Sequence, residues 1–107
     1  MWQRAMTVSG GGGGSADADY FVNVFKSGTS DVHTFTNDLK WVYVCGTKNS
    51  SDPHGTYSGS GTVTQMQGDL DSYIDLIENV KANDTYSASY MTVGTNRVMY
   101  FMVGKKA

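Results

Sequence analysis

Cys45, the only cysteine of this 107-residue chain, and its two histidines, His33 and His54, are the side chains best suited to nucleophilic or metal chemistry. A cysteine nucleophile needs a thiolate-forming environment, a base beside it and a third group to orient that base. Asp31 and Asp52 could orient His33 or His54, so the residue types are present. Their spacing adds nothing further. Cys45 ends the apolar run Val42-Tyr43-Val44-Cys45, where a buried, inert thiol is expected. The same histidines and aspartates could hold a metal ion, with Asp31 and His33 on one face if that stretch is a strand. They form no paired ligand motif, and solvated polar side chains are the expectation.

Asp69, Asp71, Asp75 and Glu78 supply carboxylates for acid–base work, but a glycosidase needs two of them across a cleft that so short a chain rarely builds. A solvated acidic face is expected instead. Asp69-Leu70-Asp71 alternates carboxylates as a calcium loop does, without the remaining ligand positions or the turn glycine. Neither glycine-rich stretch, 10–14 or 55–61, carries the lysine of a phosphate-cradling loop. Asn49-Ser50-Ser51 and Asn83-Asp84-Thr85 match the glycosylation sequon, read as chance matches. The expectation is a protein that is not an enzyme and uses no cofactor and no metal.

The long polar stretch 46–61 is the better candidate for contact chemistry. Tyr57 offers a ring for a sugar face, and Asn49, Asp52 and His54 offer donors and acceptors for hydroxyls, which makes a possible ligand loop for glycan on a host surface. A net charge of −2 and a pI near 5.4 argue against a nucleic-acid binder, which needs a basic face to release phosphate counterions. Only Lys105 and Lys106 are adjacent basic residues. Met1–Val8 has no apolar core of a secretory signal, and no apolar run approaches bilayer length. Synthesis in a cytoplasm and no membrane partner are expected.

The elements that would position these residues read as strands. Tyr20–Phe25 alternates Tyr20, Val22 and Val24 against Phe21 and Phe25; Val32–Thr36 is β-branched and aromatic; Lys40–Cys45 alternates Trp41, Tyr43 and Cys45 against Val42 and Val44. Thr62–Met66, Thr85–Val93 and Arg97–Val103 follow, divided by glycine, asparagine, aspartate and serine. Between them, 71–80 is ambiguous. Tyr73, Ile74, Leu76, Ile77 and Val80 fit a helical stripe, whereas Ile74, Leu76 and Glu78 fit a two-residue period. The cadence predicts an all-β fold, a small antiparallel β-sandwich, Ig-like or jelly-roll-like, of about seven strands, with one short helix possible near 71–80. It occupies 16–107 as one domain, behind an extended N-terminal arm over 1–15.

One local pattern supports the sandwich. Val80-Lys81-Ala82-Asn83-Asp84-Thr85-Tyr86 sets an aliphatic residue six positions before a tyrosine, across a polar turn. This resembles the turn into the penultimate strand of fibronectin type III and immunoglobulin-like domains, whose tyrosine hydroxyl bonds back to upstream backbone. Ala82 stands where those families have proline.

The arm carries five consecutive glycines, Gly10–Gly14, either a synthetic linker or a native tether. Met1-Trp2-Gln3-Arg4-Ala5-Met6, then oligoglycine, then a β-rich body, resembles small virion proteins of tailed bacteriophages. The resemblance covers the first fifteen residues in pattern and the rest in class. It implies a non-enzymatic structural part, of capsid-decoration, head-fibre or tail-appendage type, located in the virion. Other virion proteins and further copies of the chain, as a homo-oligomer, would be its partners. Trp2, Arg4, Met6 and Val8 would then contact neighbouring subunits, with tryptophan as the most efficient anchor.

Overall fold

A computed structural model describes residues 17–50, 55–93 and 95–107. They form an all-β, antiparallel structure of nine strands in two sheets. The strands are β1 (Tyr20–Ser27), β2 (Ser30–Thr34), β3 (Leu39–Thr47), β4 (Thr56–Ser58), β5 (Thr62–Gly68), β6 (Ser72–Val80), β7 (Thr85–Ser89), β8 (Met91–Val93) and β9 (Thr95–Lys106). The large sheet runs β1-β9-β3-β6-β5, with β8 folded back on β9, and the small sheet runs β2-β7-β4. Two strands more than expected arise because Thr85–Val93 divides between the sheets at Tyr90, and because β4 forms inside the 46–61 stretch.

The helix considered for 71–80 is not formed; that segment is β6, hydrogen-bonded between β3 and β5. Its period is two, but its buried face is Tyr73, Asp75 and Ile77, while Ile74 and Leu76 point the other way. The helical stripe failed because two apolar sets, one for each face of a strand, together mimic a stripe of period 3.6. Asp75 also corrects the expected solvated acidic face, since it is fully buried.

Phe35, Leu39, Val42, Val44, Ile77, Val98 and Met102 fill the space between the sheets. Phe35 sits at its centre, with its ring 5.0 Å from His33 and 6.1 Å from Tyr20. The tyrosines bring their hydroxyls inward as well. Tyr20 of β1 bonds His33 Nε2 of β2 at 2.7 Å, Tyr100 of β9 donates to Asp31 of β2, and Tyr86 of β7 donates to Asp75 of β6 at 2.6 Å. Each bond joins one sheet to the other, giving the apolar layer a directional register that burial alone does not supply. Tyr73 lies across Gly46 of the neighbouring strand so closely that a Cβ there would come within 2.5 Å of its hydroxyl oxygen.

The turn before β7 is pinned at several points. Asn83 takes a left-handed conformation (φ 79°), which asparagine tolerates better than most residues. Its amide donates to the Phe35 carbonyl at 2.8 Å, and the Phe35 amide donates to Asp84 O at 2.9 Å. Tyr86 departs from the fibronectin-like expectation, because its hydroxyl meets the Asp75 carboxyl and not upstream backbone.

Candidate functional site

Three strands of the large sheet, β1, β3 and β9, carry apolar side chains on both of their faces. β1 sets Tyr20, Val22 and Val24 inward and Phe21 and Phe25 outward; β3 sets Val42 and Val44 inward and Trp41, Tyr43 and Cys45 outward. β9 does the same, with Val98, Tyr100 and Met102 against Met99, Phe101 and Val103. Strands with this pattern belong to sheets covered on both sides. The small sheet covers one side, and among the described residues nothing covers the other.

The register places the outward side chains in rows. Leu76, Tyr43, Val103 and Phe21 stand side by side across four strands, and Ile74, Cys45, Phe101 and Asn23 form the next row. Met99 and Phe25 continue the patch, and Met66 borders it from the bulged edge strand β5. Phe21 is 62% exposed, Phe25 70%, Met66 52% and Phe101 40%. Strand and row spacings give this face a footprint of about 19 by 20 Å. On a monomer, a contiguous exposed apolar patch is commonly an interaction site.

The face is shaped. A groove of about 540 Å³ runs over β3, with Trp41, Tyr43 and Cys45 along its floor and Met66, Ile74, Phe101 and Val103 around it. Trp41 and Tyr43 meet edge to face at 5.8 Å, which fixes both rings at the groove's end. Shallower hollows of about 450 and 420 Å³ adjoin it, and Phe101 borders all three. A polar rim frames the patch. Glu78, Trp41 and Lys105 lie in one row at one end, and the Arg97 guanidinium sits 6.0 Å from the Phe25 ring at the other. An apolar centre inside a polar rim is the anatomy of a protein interface.

The residues expected to carry chemistry are dispersed. Cys45 is not the core thiol expected; it is half-buried on the outward face, where burial and then Asp75 push its thiol up. Asp31 and His33 do share a face of β2, as expected, but that face turns toward the opposing sheet, across the large sheet from Cys45. Burial lowers the pKa of His33 despite the nearby Asp31 carboxylate. Asp31 is held below the ordinary carboxylate range by hydrogen bonds from Lys26, at 2.8 Å, and Tyr100. Among the described residues no three His, Cys, Asp or Glu side chains form a metal-binding group.

In the possible ligand loop, Asn49 Oδ1 accepts the Thr92 amide at 2.8 Å. Tyr57 donates to Asp84 Oδ2 at 2.5 Å and accepts the Gly61 amide at 3.0 Å. Asp52 and His54 lie outside the described residues, as do Trp2, Arg4, Met6 and Val8 of the arm. Sequence reasoning missed the outward set Phe21, Tyr43, Met66 and Phe101. Its one local signal is that β1 and β3 set apolar residues on both faces, which leaves neither face patterned for water.

Comparison with known proteins finds no matching family model, no matching curated protein and no matching solved structure.

Proposed function

We propose that this protein is a non-enzymatic structural subunit that works by being packed against other copies of itself, anchored by the N-terminal arm and displaying the β-sandwich. The observation that carries this reading is the outward face of the large sheet, built in sequence and shape like one side of an interface. The resemblance of residues 1–15 to the arms of small tailed-bacteriophage virion proteins makes a capsid decoration or tail appendage the setting proposed for it. The other expectation, a glycan- or host-surface-binding loop over 46–61, draws less support, because Asn49 and Tyr57 use polar atoms to hold Thr92, Asp84 and Gly61.

Sedimentation of the full chain against a variant lacking residues 1–15 tests the reading. The full chain is expected to form a discrete homo-oligomer at micromolar concentration, and the truncated chain to lose it. An unchanged oligomer after truncation would remove the arm from the assembly.

A further inference from the structure

We infer that the groove over β3 is the docking site of the N-terminal segment Met1–Val8, so that the arm and the apolar face are two halves of one contact. The inference rests on the proposed role of the arm as an anchor and names what the arm anchors to.

Position, reach and chemistry support it. The chain enters the large sheet beside the end of the groove marked by Trp41. The Asp19 amide donates to Gly104 O at 2.8 Å, and its carboxylate accepts the Lys106 amide at 2.7 Å. Asp19 also pairs with Lys105 at 3.5 Å, and Lys105 stands directly opposite Trp41 in the register. Residues 9–16 could extend up to about 27 Å. The groove lies two to three strands in from the edge strand β1, roughly 10–15 Å away. The glycine-rich tether is therefore long enough to bring Met1–Val8 over this groove, or over that of an adjacent copy.

The chemistry of the two parts matches. Trp2, Met6 and Val8 are apolar side chains in a segment too short to have a core of its own, and the groove presents the exposed rings of Tyr43 and Phe101 beside the partly buried ring of Trp41. Arg4 is the only charged side chain of the segment. Glu78, opposite Trp41 at the groove's end, is exposed and makes no ion pair with another described residue. A carboxylate beside an aromatic groove is what an apolar peptide with one arginine requires.

Cys45, on the floor of the groove and the chain's only cysteine, makes the contact measurable in the full chain. Trp2→Ala should raise the rate of Cys45 alkylation by a small maleimide at least five-fold, because the cover is weakened; an unchanged rate would overturn the inference. Gln3→Cys, which leaves Trp2, Met6 and Val8 in place, should on mild oxidation form a disulfide with Cys45 at least ten-fold faster than with a cysteine at the exposed Val32 of the small sheet, in a Val32→Cys, Cys45→Ala background. Equal rates would also overturn it. A disulfide between two chains supports both the docking site and assembly through the arm. A disulfide within one chain keeps the docking site and overturns assembly by arm exchange. Rapid pairing of Cys45 with Cys45 in the unmutated chain would show two copies face to face and sink the arm as occupant.

Discussion

The two faces of the large sheet are built from the same kinds of residue, yet they do different work. Inward, tyrosines accompany aliphatic side chains, and each hydroxyl that crosses the layer finds a carboxyl or an imidazole: Tyr20 with His33, Tyr100 with Asp31, Tyr86 with Asp75. Outward, Phe21, Phe25 and Phe101 have no polar atom to place, and Trp41 and Tyr43 pair ring to ring. The inner face is specified by hydrogen bonds that only one arrangement of the sheets satisfies. The outer face is specified only by area and shape, which suits a contact made after folding. Apolar burial is non-directional and scales with area, whereas a buried polar bond costs dearly when unmade.

That contrast predicts where substitutions hurt the fold. Tyr86→Phe keeps the ring and removes the hydroxyl that donates to Asp75, leaving a fully buried carboxyl without that donor. It should cost about 1–3 kcal/mol of stability by chemical denaturation. A loss under half a kcal/mol would mean that the inter-sheet tyrosine bonds are dispensable and that the inner face is held by area alone.

Sequence patterning reached the strands and the sandwich because turn residues recur at short intervals and because β1 and β3 are short runs rich in β-branched and aromatic residues. It misread 71–80, since Tyr73 and Ile77 serve one face while Ile74 and Leu76 serve the other, and a strand apolar on both sides has no visible period. The burial of Asp75 is illegible for a related reason: nothing local reveals that a tyrosine from β7, eleven residues on, meets it. The outward patch was hidden because one-sided burial is the ordinary assumption for antiparallel sheets. Cys45 and His33 were each legible as strand residues. Which face each would occupy depended on the pairing of strands distant in sequence.

The polar bonds of the inner face should also make the fold sensitive to acid. Burial depresses the pKa of His33 from its ordinary value of 6.5. As pH falls below about 6.5 the unfolded chain takes up this proton more readily than the folded one, so stability present at neutral pH is lost as pH drops through the folded value. Asp31, depressed mainly by Lys26 and then Tyr100, acts in a lower window; its contribution is present above its ordinary 3.8 and is lost below it. The midpoint of thermal unfolding should therefore fall between pH 7 and pH 5, by less than the Tyr86→Phe effect because His33 is only half-buried. His33→Gln should flatten that slope while leaving the loss near pH 3. A slope unchanged by His33→Gln would assign the titration to another group.

The smallest effect on the fold is expected on the outer face. Phe21 is 62% exposed on the edge strand β1, and its contacts within the chain are few enough that Phe21→Ser should change stability by about half a kcal/mol or less. The same substitution removes a ring from the row that runs through Tyr43 and Val103 to Leu76. It should therefore weaken self-association in sedimentation while denaturation curves stay nearly superimposed. Tyr86→Phe should show the opposite pattern under conditions where both variants are folded, with lower stability and intact association. If Phe21→Ser instead unfolded the domain without altering association, the outer face would be a structural surface like the inner one, and the distinction between them would fail at the position most exposed to test it.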